Sequence, residues 1–132
     1  GLSEVAMHEQ VGLLAYSPLA QGTLTGKYLG GQMPQGSRLA LFGDGPLMMR
    51  YKGDKTQQAI EMYVNLAKKY EIDPAQLAIQ FCNIQPFVTS TIIGATTMEQ
   101  LKTCIDSVDL DITKEIMNEI RSIHKEIPNP AP

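Results

Sequence analysis

Two stretches of the chain combine glycines, hydroxyls and a nearby cation in a pattern suited to an anionic ligand. The first is YSPLAQGTLTGKY, residues 16–28. Its glycines allow backbone N–H groups to approach phosphate oxygens, and Lys27 supplies countercharge. Tyr16 can offer its ring face to a planar ligand. Read without a ligand, the same stretch is a proline turn followed by a flexible loop with a solvated lysine, because glycine-rich loops alone are weak signals. The second stretch is IGATTMEQL, residues 93–101. Gly94 permits close backbone approach, and a helix starting just after it presents free N–H groups and a positive dipole end. Thr96 and Thr97 add hydroxyls. The alternative is an ordinary capped helix whose threonines satisfy its own amides.

Few other residues carry a chemical pattern. His8 and His124 have no spaced partner, and His124 falls on the polar side of a helix. Asp44, Asp54 and Asp73 read as loop or cap residues, and Glu99 and Gln100 as first-turn residues. Cys104 reads as a small buried side chain, and the seven methionines as core filling and loop residues. No Ser-His-Asp arrangement, metal-ligand spacing or paired carboxylates stand out.

Both stretches need elements to position them. Residues 11–16, VGLLAY, and 87–93, FVTSTII, are apolar runs of the kind seen in strands buried on both faces of a parallel sheet. Residues 55–70 place Ile60, Val64 and Ala67 on one helical face, with Met62 and Leu66 nearby. Asp73-Pro74 is a cap and first-turn pair for a second helix with an apolar stripe at Leu77, Ala78 and Phe81. A third helix begins at TTMEQ, capped by Thr96 with Glu99 or by Thr97 with Gln100, and buries Leu101, Ile105 and Val108. Thr113 caps a last helix carrying Ile116, Ile120, Ile123 and Ile127. Residues 126–132 form an irregular tail. Residues 21–54 read as one long loop, rich in glycine.

Strands separated by helices predict an α/β fold with a parallel sheet and right-handed crossovers. Each candidate site then lies at the carboxyl end of a strand, where α/β barrels place ligands, and two anion-favouring loops suit a dinucleotide. Two strands cannot close a barrel and expose both sheet edges. The pattern therefore implies missing strands, or strands borrowed from a partner by self-association. The opening residue, Gly1, allows a tag remnant or residues missing upstream.

The 132 residues suffice for one domain with a core, at 43% hydrophobic and 19% charged. Net charge is −3, with no basic stripe for nucleic acid. No apolar run has the roughly 20 residues of a membrane span. Two cysteines are too few for a disulfide framework, which fits a reducing cytoplasm.

The strings LLAYSPLAQGTLTGKY, GSR and STIIGATTMEQLKT resemble the C-terminal segment of aldo-keto reductases. The likeness is to the bacterial Tas-like branch, related to potassium-channel β subunits, and covers nearly the whole chain. It implies the C-terminal portion of a (β/α)8 TIM barrel that binds NADP(H). Residues 11–16 would be strand seven and 87–93 strand eight, followed by the C-terminal helix; Gly1 would fall shortly after strand six. Tyr16 would stack on the nicotinamide. Ser17, Pro18, Leu19, Ala20, Gln21 and Gly22 would wrap the pyrophosphate, with Lys27 as the basic contact and Ser37 and Arg38 near the cofactor. Gly94, Thr96 and Gln100 match the site for the 2′-phosphate and adenosine end. Thr103 and Cys104 stand where the family often has Glu-Asn at the adenine, and cysteine lacks that amide. The family's Asp, Tyr, Lys and His tetrad has no counterpart here. The expected function is the NADP(H)-binding part of a reductase converting carbonyls to alcohols in the parent protein, the tail lining its substrate pocket. The alternative is a truncated, non-catalytic nucleotide-binding or self-associating module.

Overall fold

In chain order the elements are α1 (Leu2–His8), β1 (Leu13–Ala15), 3₁₀ turns at Ala20–Thr25 and Leu29–Gly31, α2 (Arg38–Phe42) and α3 (Pro46–Met49). Then come α4 (Asp54–Lys69), α5 (Pro74–Asn83), β2 (Val88–Thr91), α6 (Met98–Asp106), a 3₁₀ turn at Ser107–Asp109, and α7 (Lys114–Glu126). These are taken from a computed structural model that describes residues 1–43 and 45–131. The expected loop or cap role of Asp44, and Pro132 of the tail, lie outside the described residues. The chain divides into two units, one of residues 1–18 and 75–111, the other of 19–74 and 112–132.

The first unit holds the sheet. β1 and β2 pair in parallel, Leu13 opposite Val88 and Ala15 opposite Thr91, with an irregularity between Leu13 and Leu14. The amide of Ile92 extends the ladder to the Ala15 carbonyl at 2.7 Å. Both predicted strands and their parallel sense are present, but each is shorter than its apolar run. The expectation that both faces are buried is corrected: Leu14 is 60% exposed and Ile92 50%. An apolar run records which side chains seek cover, not whether these residues provide it.

The helices of this unit bury the expected faces only in part: Leu77 is buried and Ala78 and Leu101 half-buried. In α5 the buried residues are Ala75, Leu77, Ile79 and Gln80, while Phe81 is exposed. In α6, Cys104 is buried and Ser107 follows it inward, whereas Ile105 and Val108 are exposed. Polar side chains hold the interior here. The Gln80 amide donates to the Leu110 carbonyl at 3.0 Å, and the Ser107 hydroxyl to the Cys104 carbonyl at 2.7 Å. The helix α1 was not expected; its apolar Leu2, Val5 and Met7 are all exposed.

The second unit is built on α4 packed against α7. Ile60, Val64, Leu66 and Ala67 are buried from α4, and Ile116, Ile120 and Ile123 from α7, as their spacing predicts. Each of these valine, leucine and isoleucine side chains contributes about 1.5–3 kcal/mol on burial. Thr113 caps α7 by accepting the Ile116 amide at 3.3 Å, also as expected. The tail after α7 is irregular but held: Arg50 Nη2 donates to the Ala131 carbonyl at 2.7 Å and the Thr56 hydroxyl to that of Pro130. The predicted long loop 21–54 is corrected. It is a series of short helical turns interrupted where glycines turn left-handed, as at Gly26 and Gly30. No helix among the described residues is long and apolar enough to cross a membrane.

Candidate functional site

The glycine-bearing loop of the second unit is locally strained. Ala20 and Gln21 have φ of 48° and 62°, and Gly22 has 90°. Each left-handed residue other than glycine costs roughly 1–2 kcal/mol. Strain of this sort persists where the surroundings over-determine it, commonly at binding sites. Leu19 lies near the right-handed region, φ −94° and ψ 7°, just before left-handed Ala20. The turn is closed by the Gly22 amide, which donates to the Leu19 carbonyl at 2.8 Å. Thr23 and Thr25 stitch the loop to itself, their hydroxyls donating to the carbonyls of Ala20 and Gly22, both at 2.8 Å.

Two cations are fixed on this loop. Lys27 is half-buried. Its amide donates to the Thr25 hydroxyl at 3.3 Å, and its ammonium lies 5.2 Å from the centroid of the Tyr28 ring. Arg38 is exposed, and its guanidinium donates to the side-chain carbonyl of Gln21. Arg38 opens α2, whose cap is Ser37: the Ser37 hydroxyl accepts the Ala40 amide at 3.3 Å and is buried. Ser37 is therefore engaged in positioning Arg38. Leu19 is half-buried at the mouth of the loop.

In the first unit, Tyr16 follows β1 and is 80% exposed. Ser17 is exposed with φ of 55°, and Pro18 is half-buried. Beyond β2, Gly94 is exposed, with open space around the position a Cβ would take. Thr97, not Thr96, caps α6, its hydroxyl accepting the Gln100 amide at 3.1 Å. Gln100 reaches back, so that its carbonyl accepts the Thr96 amide at 3.0 Å and hydroxyl at 3.1 Å. This is the capping-box logic moved one residue upstream. It turns the Gln100 carbonyl onto Thr96, both residues being exposed, and leaves its NH₂ group outside that pair. The Thr103 carbonyl accepts from Gln76 Nε2 at 3.2 Å, and Thr103 itself is half-buried. Cys104 is buried at 5% exposure, so its side chain offers almost no surface to a ligand. The residue pattern points the same way, toward a small core side chain.

Residues 1–125 match the sequence profile of the Aldo/keto reductase family. The chain belongs to that family. Among curated relatives, it is 49% identical over 132 residues to Protein tas of Escherichia coli K12, an alignment covering 100% of this chain and 37% of that protein. It is 36% identical over 115 residues to a probable voltage-gated potassium channel subunit beta of Oryza sativa subsp. japonica, covering 86% of this chain and 35% of that one. Against L-glyceraldehyde 3-phosphate reductase of E. coli K12 it is 32% identical over 111 residues, covering 83% and 32%. This aldo/keto reductase chain thus spans about a third of the length of these relatives.

Within this aldo/keto reductase chain, Gln21, Gly22, Lys27, Ser37 and Arg38 come together in one unit, and Gly94, Thr96 and Gln100 lie close along the other. Residue reasoning missed Tyr28, Thr23 and Thr25 as groups that fix these positions, whereas Thr97 with Gln100 was one of its two cap alternatives. The adjacency of Lys27 and Tyr28 was the available signal for the first of them. His8 and His124 sit exposed in the last turns of α1 and α7. Among the described residues no cluster of His, Cys, Asp or Glu has the form of a metal site.

Proposed function

We propose that the chain is the NADP(H)-binding part of an aldo/keto reductase barrel that reduces carbonyls to alcohols, its two strands being the seventh and eighth. The observation that carries this reading is the pair of cations, Lys27 and Arg38, anchored on one strained loop whose backbone has positive φ at Ala20, Gln21 and Gly22. Loops of this form bind phosphate through N–H groups and fixed countercharge. The donor set suits a dinucleotide phosphate. Lys27 and the loop amides would hold the pyrophosphate. In its own unit Arg38 would hold further phosphate; in the other unit the Gln100 amide would hold the adenosine end. Tyr16, bare at the end of β1, would lie against the nicotinamide.

When bound, the cofactor supplies a hydride to the carbonyl carbon. This chain's residues bind and orient it, and none of them is assigned the proton transfer. Tyr70, for example, donates its hydroxyl to Glu119, and its phenol is pushed up first by that hydrogen bond and then by burial. The substrate pocket, with any contribution from the tail, follows from the barrel as a whole.

The test is calorimetric titration of the 132-residue chain with NADPH, with NADH alongside. Saturable NADPH binding is expected, weakened about tenfold by Arg38→Ala and similarly by Gln100→Ala, the loss typical of one charge-assisted contact. A folded sample that takes up no NADPH, or that binds it equally well without Arg38, overturns the reading.

A further inference from the structure

We infer that Tyr28 is a positioning residue, whose ring holds the Lys27 ammonium in place beside the Ala20–Gly22 loop. The inference rests on the nucleotide-binding reading for its purpose, but not for its geometry. A lysine side chain carries about 2 kcal/mol of rotamer entropy, so a free one is a diffuse charge. Lys27 is not free. Its ammonium lies 5.2 Å from the Tyr28 ring centroid, inside the roughly 6 Å range of a cation–π contact. On the loop side, a Cβ built on Gly22 would come within 3.0 Å of both Lys27 Cε and Nζ. The absence of a side chain at Gly22 is what gives the lysine its room.

Tyr28 is itself fixed. It is 6% exposed, and its hydroxyl accepts the Leu39 amide at 3.5 Å in the first turn of α2. Leu39 is next to Arg38, and Arg38 returns to the loop through Gln21. The contacts therefore close a circuit: Gly22 to Lys27, Lys27 to Tyr28, Tyr28 to the start of α2, and Arg38 to Gln21. The ring acts on the Lys27 ammonium, while the hydroxyl only touches the start of α2. Among the described residues two other cations lie over neighbouring tyrosines, Arg50 over Tyr51 and Lys69 over Tyr70; those rings are only half-buried, and Lys69 and Tyr70 are tied through Glu119 on the surface.

The experiment reads the ring directly. In a carbon–proton correlation spectrum of the full chain, the Lys27 ε-methylene signal, assigned by its loss in Lys27→Ala, should be shifted upfield of the other lysines by the ring current. Tyr28→Phe should keep the shift. Tyr28→Leu should abolish it, and Gly22→Ala should reduce it by crowding the lysine off the ring. An ordinary lysine position in the wild type overturns the inference, whether or not Tyr28→Leu folds. A second readout is NADPH affinity. Tyr28→Phe should bind as the wild type does, and Tyr28→Leu about threefold to tenfold more weakly. Tyr28→Leu combined with Lys27→Ala should be no weaker than Lys27→Ala alone; additive losses would mean that Tyr28 does not act through Lys27. If the wild type binds no NADPH, the nucleotide reading falls, and the upfield shift still decides whether Tyr28 holds the lysine.

Discussion

At Gly26 two requirements coincide that only glycine meets. The backbone is left-handed, φ 80°, where it ends the 3₁₀ turn by donating to the Thr23 carbonyl. A Cβ there would also lie 3.0 and 3.1 Å from the two methyls of Val64, a buried residue of α4. Gly30 and Gly31 are left-handed too, but open space surrounds them. The comparison separates conformational strain from steric conflict. Gly30→Ala should cost about 1 kcal/mol, the backbone penalty alone. Gly26→Ala should cost more, about 2–3 kcal/mol, because the Val64 side chain must also shift in a packed interior. Urea unfolding of both variants checks this. Equal losses would mean that the Val64 contact yields freely and that conformation alone decides.

Among the elements, α4 and α7 are tied at their surface as well as in their core. Lys69 donates to Glu119 at 2.7 Å, and the Tyr70 hydroxyl donates to the same carboxylate. These two hydrogen bonds, the lysine's first, hold the Glu119 carboxyl below its usual range, while burial opposes them. A carboxylate lowered in the folded state adds stability above its unfolded pKa, and that stability is lost as pH falls through the folded value. The melting temperature should therefore drop on acidification from about pH 5 downward. Glu119→Gln should remove part of that acid dependence while leaving a lower, flatter profile. An unchanged acid limb in Glu119→Gln would show that the tie adds nothing. The same helices show what was legible in the sequence. The isoleucines of α7 and the α4 face repeat at helical spacing over many residues, and the Thr113 cap marks a clean start, so local signals and packing agree. Over α5 and α6 the helices were legible but their buried faces were not. Polar Gln80 and Ser107 go inward there because each finds a carbonyl partner, which an apolar count cannot register. The segment 21–54 misread for a related reason, since its short turns are held by side-chain contacts such as Thr23 to Ala20 rather than by periodicity. The candidate site residues came from family resemblance, which did not point to Tyr28. Its role depends on α2 folding back to place the Leu39 amide at its hydroxyl.

At the scale of the whole molecule, cover is distributed unevenly. The long aliphatic interior lies in the unit of α4 and α7, whereas the unit with the sheet leaves Leu14, Tyr16, Ile92, Ile105 and Val108 exposed. Two paired strands alone are marginally stable in water, because few cross-strand contacts offset the entropy of ordering them. The chain also spans only 37% of the length of Protein tas, so most of the family's sequence lies outside the aligned part. Local opening should therefore follow burial. In native-state hydrogen exchange on dilute protein, the amides of α4 and α7 around Val64, Ala67 and Ile120 should exchange only on global unfolding. Those of Leu14, Ala15 and Ile92 should exchange at least about a hundredfold faster, corresponding to a local opening roughly 3 kcal/mol below the global one. Raising the protein concentration discriminates further. If exposed strand edges pair between copies, protection at Leu14 and Ile92 should rise with concentration while α4 stays constant. Strand amides as protected as those of α4 in dilute solution would contradict this, and would mean that the two strands are held by more than the contacts they make with each other.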